Sequence, residues 1–181
     1  MPAPLEAVFD PKQPHSPNNA PFTRYHDMLR RFGDALANGD TSTRAWLQMI
    51  RGFRGLPSIV QITQVNEAMN KRPYVPEIRD YWMSPGEFLK YGGDCEDFAI
   101  AKYLALRDLG HAEENLRIVI VNDLMLRIPH ALLTVRRTEV GTLVLDNQDK
   151  MVRRAADVHR YAPVYSINRL GWWKHGNPAS V

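Results

Sequence analysis

The sequence predicts an α+β domain in which N-terminal helices and one central, cysteine-bearing helix pack on an antiparallel β-sheet. Apolar residues recur at helical spacing from residue 23 to about residue 109, and short β-branched runs follow them. Helices first and strands afterwards is the order typical of an α+β domain. The 181 residues are enough for one domain with a substantial core.

Proline usage sets the N-terminal segment apart. Residues 1–22 hold six of the 13 prolines and few apolar residues that could join a core. We therefore expect an extended arm over residues 1–22, a folded domain over residues 23–175 and a C-terminal tail over residues 176–181.

Three amphipathic helices are predicted before residue 73. The first covers residues 23–37, where apolar side chains fall on one face. Asp40 and the two hydroxyl residues after it can cap a second helix that carries Trp46. A third helix opens at Pro57 and Ser58 and ends before Pro73.

Two further helices lead to the only cysteine of the chain. Ser84, followed by proline and then by Glu87 three residues on, is a capping-box pattern for a short helix. A longer helix runs from about Cys95 to residue 109 and stops at Gly110, a residue suited to a helix end. Between residues 98 and 106 only Lys102 is charged, so this helix should be central and buried.

The strand-like part begins after residue 116. The runs RIVIV (117–121), ALLTV (131–135) and TLVLD (142–146) are short and rich in β-branched residues. RTEVG (137–141) supplies a hairpin turn between the last two runs, and APVYSINRLGWW (162–173) is interpreted as one further strand. These runs predict the antiparallel sheet.

Composition excludes several classes of protein. The net charge is only +3, and the basic residues form separate pairs rather than a dense patch, so nucleic-acid binding is not expected. A single cysteine excludes an internal disulfide framework and a cysteine-rich zinc site. No apolar run is long enough to span a membrane. The first residues lack signal-peptide features, so we expect either a cytosolic protein or a chain from which a leader has been removed.

Cys95 has the setting of a nucleophile. Two glycines precede it, and it begins a helix, whose N-terminus carries partial positive charge that favours a thiolate. The glycines are expected to let a substrate backbone approach closely. A buried cysteine with a purely structural role remains the alternative.

A histidine and a carboxylate could complete the site. His130 begins one strand of the predicted hairpin, and Asp146 ends the neighbouring strand, so antiparallel pairing can bring them to one edge of the sheet. The order Cys–His–Asp is compatible with an acyl-transfer triad. The sequence does not fix the register, and a shift of one residue would turn one side chain away. Alternatively, His130 is a core histidine, since it precedes an apolar strand, and Asp146 is part of a turn.

Three acids surround the cysteine. Asp94, Glu96 and Asp97 should raise the pKa of the thiol, and a bound Ca²⁺ would remove this conflict, since calcium prefers several oxygen ligands. Acids are also common in the first turn of a helix, where they complement its dipole. Both interpretations stay open on chemical grounds.

Several blocks of the sequence resemble the bacterial transglutaminase-like cysteine proteinases. The similarity spans residues 25–173 and is carried by DYWMSPGEFLKYGGDCEDFAIAKYLALRDLG, LRIVIV, PHALLTV, LVLDNQ and YSINRLGWW. The block GDCEDFAIAKY, together with HALL and VLDN, is the specific part. Within the family, the chain looks like the periplasmic proteases that release giant biofilm adhesins.

The resemblance implies a papain/transglutaminase-like fold and a set of roles. It makes Cys95 the nucleophile, His130 the general base and Asp146 its orienting partner, with a calcium dependence that falls on Asp94 and Glu96 and a third ligand at Asp97.

The resemblance also implies a location and partners. These are the periplasm, a large RTX-type adhesin cut in its N-terminal region within an Ala-Ala-containing loop, and an inner-membrane cyclic-di-GMP receptor that sequesters the protease. Two other hypotheses remain: a transglutaminase or amidase with the same triad, and a calcium-binding interaction protein without catalysis.

Overall fold

The computed structural model describes residues 4–76 and 80–176 of the chain. Its helices are α1 (Thr23–Ala37), α2 (Thr41–Arg51), α3 (Ser58–Asn70), α4 (Pro85–Tyr91) and α5 (Cys95–Asp108). Its strands are β1 (His15–Ser16), β2 (Leu116–Asp123), β3 (Ile128–Arg137), β4 (Gly141–Leu145), β5 (Arg153–Arg154), β6 (Tyr161–Asn168) and β7 (Gly171–Lys174). Short 3-10 helices cover Leu5–Phe9, Glu113–Asn115 and Ala155–Asp157. The α+β prediction is confirmed.

The seven strands form one sheet in the order β1-β7-β6-β2-β3-β4-β5, and all the neighbouring strands pair antiparallel. Helix α5 packs on strand β3 and is enclosed by α2, α3 and α4 on its other sides. Every residue from 97 to 106 is buried, as a helix with almost no charged side chains requires.

Local capping signals set the helix ends. The Asp40 carboxylate accepts the Thr43 N–H at 2.8 Å and starts α2. The Ser84–Glu87 capping box starts α4, with the Ser84 N–H donating to Glu87 at 2.7 Å. Gly110, with φ +91°, follows the end of α5 in the left-handed conformation that favours glycine. Each of these boundaries depends on residues only a few positions apart.

The N-terminal segment contributes more to the core than its sequence suggests. Leu5 and Val8 are fully buried, and Phe9 is nearly so, against the sheet face opposite the helices. Arg117 anchors the segment: its guanidinium donates to the Val8 carbonyl and lies between the rings of Phe9 and Trp173, at 4.6 and 3.6 Å from their centroids. The segment expected to be an arm thus lies on the domain, where its few apolar residues cover the far face of the sheet.

The C-terminal part holds two strands where the sequence predicted one. Strands β6 and β7 are joined by a tight turn in which the Leu170 N–H donates to the Asn168 side chain at 2.8 Å and Gly171 has φ +140°. An added Cβ at Gly171 would overlap the Ser16 carbonyl, so β1 can pair with β7 only because glycine stands there. Residues 177–181, most of the predicted tail, lie outside the described residues.

Within the ranges 4–76 and 80–176, helices that are both long enough and apolar enough to cross a bilayer are absent.

Candidate active site

Cys95 is the first residue of α5, and two aspartates fix the start of that helix. Asp94 is the N-cap, and it forms a reciprocal capping box with Asp97. The Asp97 carboxylate is buried, and its two oxygens accept the Met83 N–H at 2.7 Å and the Asp94 N–H at 3.1 Å. Asp97 therefore holds the helix start in place and ties it to the segment before α4.

Contacts within the folded protein require glycine at both positions before Asp94 and Cys95. Gly92 has φ +77°, and a Cβ added there would overlap the Pro73 carbonyl. A Cβ added at Gly93 would overlap the Asp97 carboxylate. The sequence suggested that these glycines admit a substrate backbone, whereas in the structure they admit the segment at Pro73 and the capping carboxylate.

The Cys95 sulfur lies between the helix and the sheet. Its thiol donates to Glu96 Oε2 at 3.3 Å, and it accepts a hydrogen bond from the backbone N–H of Ala131 on β3. Burial and then the negative charge of Glu96 raise the thiol pKa, and the Ala131 N–H opposes that shift. The contact with Ala131 places the sulfur beside the residue that follows His130.

His130 and Asp146 form a buried pair. Their side chains lie 2.8 Å apart, between Nε2 and Oδ1, and the two residues are only 4% and 5% exposed. Strands β3 and β4 pair Leu133 with Leu145, which puts Asp146 directly after the paired part of β4, level with Leu132 and two residues from His130 along β3. The predicted juxtaposition of this histidine and this carboxylate at the sheet edge is therefore present. Because His130 Nε2 is hydrogen-bonded to Asp146, Nδ1 is the ring nitrogen that is available for proton transfer.

Asp146 has two further partners. The Tyr161 hydroxyl donates to Oδ2 at 2.5 Å, and the Gln148 N–H donates to Oδ1 at 3.0 Å. Burial opposes ionisation of Asp146, but the hydrogen bonds, that of His130 first, outweigh it and hold the carboxyl pKa below its usual range. Tyr161 also stacks on His130, with ring centroids 5.3 Å apart. The carboxylate is thus ionised and fixed in orientation.

Sequence reasoning missed two residues that shape this site. Tyr161 begins β6, beyond the predicted hairpin, and no local pattern connects it with Asp146. Asn70 ends α3, and its amide donates at 2.9 Å to the carbonyls of both Asp146 and Asp149. The only sequence signal for Asn70 was its place as a polar residue at the end of an amphipathic helix, which does not indicate a contact with Asp146.

Lys102 lies two turns after Cys95 on the buried helix. Among the residues that the structure describes, its ammonium has no hydrogen-bond partner, and the Phe98 ring centroid is 5.9 Å from Nζ. Burial lowers the pKa of Lys102 to about 7, and the negative charge of Asp146 opposes this shift. The amine therefore changes its charge near neutral pH.

We expect the Lys102→Met variant to resist urea better than the parent protein, and the difference to shrink as the pH rises. The unfolded chain keeps the usual lysine pKa, so between about pH 7 and about pH 10 it binds more protons than the folded protein. Parent stability therefore rises with pH across this window, and the variant lacks that slope. At neutral pH the variant should gain up to roughly 3–5 kcal/mol.

Urea unfolding of both proteins at about pH 7 and about pH 9.5 measures this difference. Lys90→Met, which replaces an exposed lysine, is the matched control. An equal gain at both pH values would contradict the expectation.

The acids beside the nucleophile fit calcium only in part. Asp94 and Glu96 are half-buried and supply carboxylate oxygens, the ligand type that Ca²⁺ prefers. Both Asp97 oxygens already accept backbone N–H groups. Nowhere in residues 4–76 and 80–176 do three or more His, Cys, Asp or Glu side chains gather as a metal site. Backbone carbonyls and water would have to supply the other ligands.

Comparison with known proteins agrees with this geometry. The family model described as bacterial transglutaminase-like cysteine proteinase matches residues 53–175. The search of curated proteins gives no match.

The fold is also similar to solved structures of Legionella pneumophila LapG. One is 31% identical, has a TM-score of 0.68, and the match covers 82% of this chain and 86% of that one. A calcium-bound LapG structure is 30% identical with a TM-score of 0.69, and coverage is 84% and 92%. An EGTA-treated LapG structure is 31% identical with a TM-score of 0.68, and coverage is 82% and 84%.

Proposed function

The chain belongs to the bacterial transglutaminase-like cysteine proteinases, and from that premise we propose that it is a calcium-dependent endopeptidase with a Cys95–His130–Asp146 triad. The observation that carries the proposal is the buried His130–Asp146 pair, 2.8 Å apart, beside the strand residue that hydrogen-bonds to the Cys95 sulfur. If His130 were only a hydrogen-bonded core histidine, its position beside Cys95 at the start of α5 would have no explanation.

Acylation uses the thiol and one imidazole nitrogen. The thiol leaves Glu96 and turns to His130, and as sulfur bonds to the scissile carbonyl carbon, its proton passes to Nδ1. Asp146 holds Nε2 and stabilises the imidazolium. The backbone N–H of Cys95, at the first position of α5, has no acceptor within the helix and can donate to the oxyanion.

Acylation ends when the carbon–nitrogen bond breaks as His130 gives its proton to the leaving amine, which leaves a thioester on Cys95. Hydrolysis of this thioester is the deacylation step. Water then attacks the thioester and gives a proton to His130, which returns it to the departing sulfur. The products are a new carboxyl terminus, a new amino terminus and the original thiol.

Calcium, held by the acids beside Cys95, would supply positive charge that offsets their effect on the pKa of the Cys95 thiol. Support comes from the position of these acids on either side of Cys95 and from the calcium-bound form of the similar LapG. Asp97, expected from the sequence as a third ligand, also caps α5, since each of its oxygens accepts a backbone N–H. A carboxylate oxygen has two lone pairs and can take a second partner, so we propose Asp94, Glu96 and Asp97 as the side-chain ligands.

The substrate and the control of the enzyme are proposed from the resemblance of the sequence blocks. The substrate is the N-terminal region of a large RTX-type surface adhesin, cut within an Ala-Ala-containing loop. The location is the periplasm, and the partner that controls the enzyme is an inner-membrane cyclic-di-GMP receptor.

The test is cleavage of a purified N-terminal adhesin fragment from the same genome. We expect one cut in the presence of calcium, none after EGTA, and recovery when calcium is restored. The fragment with its Ala-Ala pair replaced by Glu-Glu is the substrate control. In the same samples calcium should raise the melting temperature of the parent protein but not of Glu96→Gln, because ligand binding stabilises only a site that is intact.

Glu139→Gln, at an exposed acid in the β3–β4 turn, is the matched control for the calcium response. Cleavage that EGTA leaves unchanged would refute the calcium dependence. A calcium-loaded protein that leaves the adhesin fragment intact would refute the proposed substrate.

A further inference from the structure

A short extended segment, Pro73–Pro76, runs directly beside the nucleophile. Tyr74 forms a parallel bridge with Gly93, two residues before Cys95. The Val75 N–H donates to the Gly93 carbonyl at 2.9 Å, and the Gly93 N–H donates to the Pro73 carbonyl at 3.3 Å. The approach is close enough that Gly92 must lack a Cβ.

The bridge leaves one edge of this segment open. In parallel pairing, the residue between the two bonded groups directs its own N–H and C=O away from the partner strand. Tyr74 is that residue, and within the described parts of the chain neither of these groups makes a hydrogen bond. A donor and an acceptor on one exposed residue form an edge to which an extended peptide can add.

The side chains of the segment make an apolar surface at the same place. Tyr74 is 56% exposed and Val75 is 40% exposed. The Tyr74 ring stacks on Phe98, one turn into α5, with centroids 6.5 Å apart. The Tyr74 ring therefore lies against the helix that begins at Cys95.

We propose that the open edge of Tyr74 binds the substrate backbone as an added strand, with small or apolar substrate side chains resting on the Tyr74 ring and Val75. The occupant is an extended peptide because the edge offers one N–H and one C=O beside the sulfur that attacks a peptide carbonyl. This inference deepens the proposed endopeptidase function and rests on it. Tyr74 is a substrate-binding residue that leaves the proton transfers to His130.

The first test observes binding without cleavage. A substrate peptide is added to the Cys95→Ala protein, and exchange of the Tyr74 backbone amide with water is followed by NMR. We expect exchange to slow at least about tenfold, because the amide gains an acceptor. A scrambled peptide is the control. A substrate peptide that shifts other site resonances but leaves Tyr74 exchange unchanged would overturn the inference and spare the proposed function.

The second test uses kinetics on the protein with its nucleophile intact. Tyr74→Ala should raise KM more than it lowers kcat, while Tyr91→Ala, at a tyrosine with the same 56% exposure on α4, should change neither. Replacing substrate N–H groups one at a time by ester oxygens should reduce kcat/KM about 5- to 10-fold at one position near the cut.

Equal small losses at every ester position would overturn the strand-like binding. Alkylation of Cys95 by iodoacetamide at the parent rate would show that Tyr74→Ala left the nucleophile intact. If the parent protein cuts no peptide while its thiol reacts normally, the proposed function fails, and this inference fails with it.

Discussion

Replacing Cys95 with alanine is expected to abolish peptide cleavage while the fold is retained. In the proposed mechanism the thiol supplies the electron pair that forms the acyl intermediate, and loss of a triad nucleophile lowers kcat by about 10⁴-fold or more. The side chain is half-buried against the core, and its replacement by alanine deletes one sulfur atom with its hydrogen bonds to Glu96 and to the Ala131 N–H. The melting temperature should therefore change little.

The measurement is the rate of adhesin-fragment cleavage by parent and variant at equal concentration, with circular dichroism as the check on folding. Cys95→Ser is a useful second variant, because it keeps a hydroxyl of similar size but is a much weaker nucleophile. Cleavage by Cys95→Ala at the parent rate would rule out Cys95 as the nucleophile. Biological activity kept by a Cys95→Ala protein that no longer cleaves the fragment would favour an interaction protein that binds calcium without catalysis.

Replacing Asp146 with asparagine is expected to lower kcat by about 10²- to 10⁴-fold. The amide has the size of the carboxylate but lacks the charge that stabilises the imidazolium of His130. It must also satisfy the Tyr161 hydroxyl and the Gln148 N–H, both of which donate to the carboxylate in the parent protein. The loss should appear in kcat rather than KM, because the charge acts mainly in the transition state.

The same substitution carries a pH signature. The folded protein holds the Asp146 pKa below its unfolded value, so this group stabilises the fold above the unfolded pKa, and the contribution is lost as the pH falls through the folded pKa. Asp146→Asn should lower the free energy of unfolding at neutral pH. In the variant this free energy should also fall less steeply as the pH is lowered into the acidic range.

Asp149→Asn, three residues away at a more exposed carboxylate that pairs with Arg153, is the matched control. The kcat of Tyr161→Phe should lie between those of Asp146→Asn and Asp149→Asn, since this variant removes one hydrogen bond from Asp146 and leaves the His130 contact. Equal activity of Asp146→Asn and Asp149→Asn would show that Asp146 does not orient the histidine.

The N-terminal segment shows where local pattern stops being informative. Its prolines and its few apolar residues predicted an extended arm. In the structure Leu5, Val8 and Phe9 are buried. They are buried because strands β2, β3 and β4 present apolar side chains on both faces of the sheet. That need arises more than 100 residues further along the chain, so no window around residue 5 contains it.

The sequence by itself determined the elements whose causes are local. Asp40, the Ser84–Glu87 pair and Gly110 set helix ends through contacts within a few residues, and apolar spacing marked α5 as the central helix. The blocks around Cys95, His130 and Asp146 also carried the family resemblance, because the groups needed for the chemistry are fixed residue types at fixed places.

Only the tertiary structure decided how those pieces meet. The register of β3 on β4 determined that His130 and Asp146 lie diagonally on the same face of the sheet, and a slip of one residue would have turned one of them to the other face. Tyr161 and Asn70 reach Asp146 from other elements, and Pro73 gives the reason for Gly92. These contacts join residues 15 to 76 positions apart, so their energy depends on the packing of whole elements and leaves no periodic trace in the sequence.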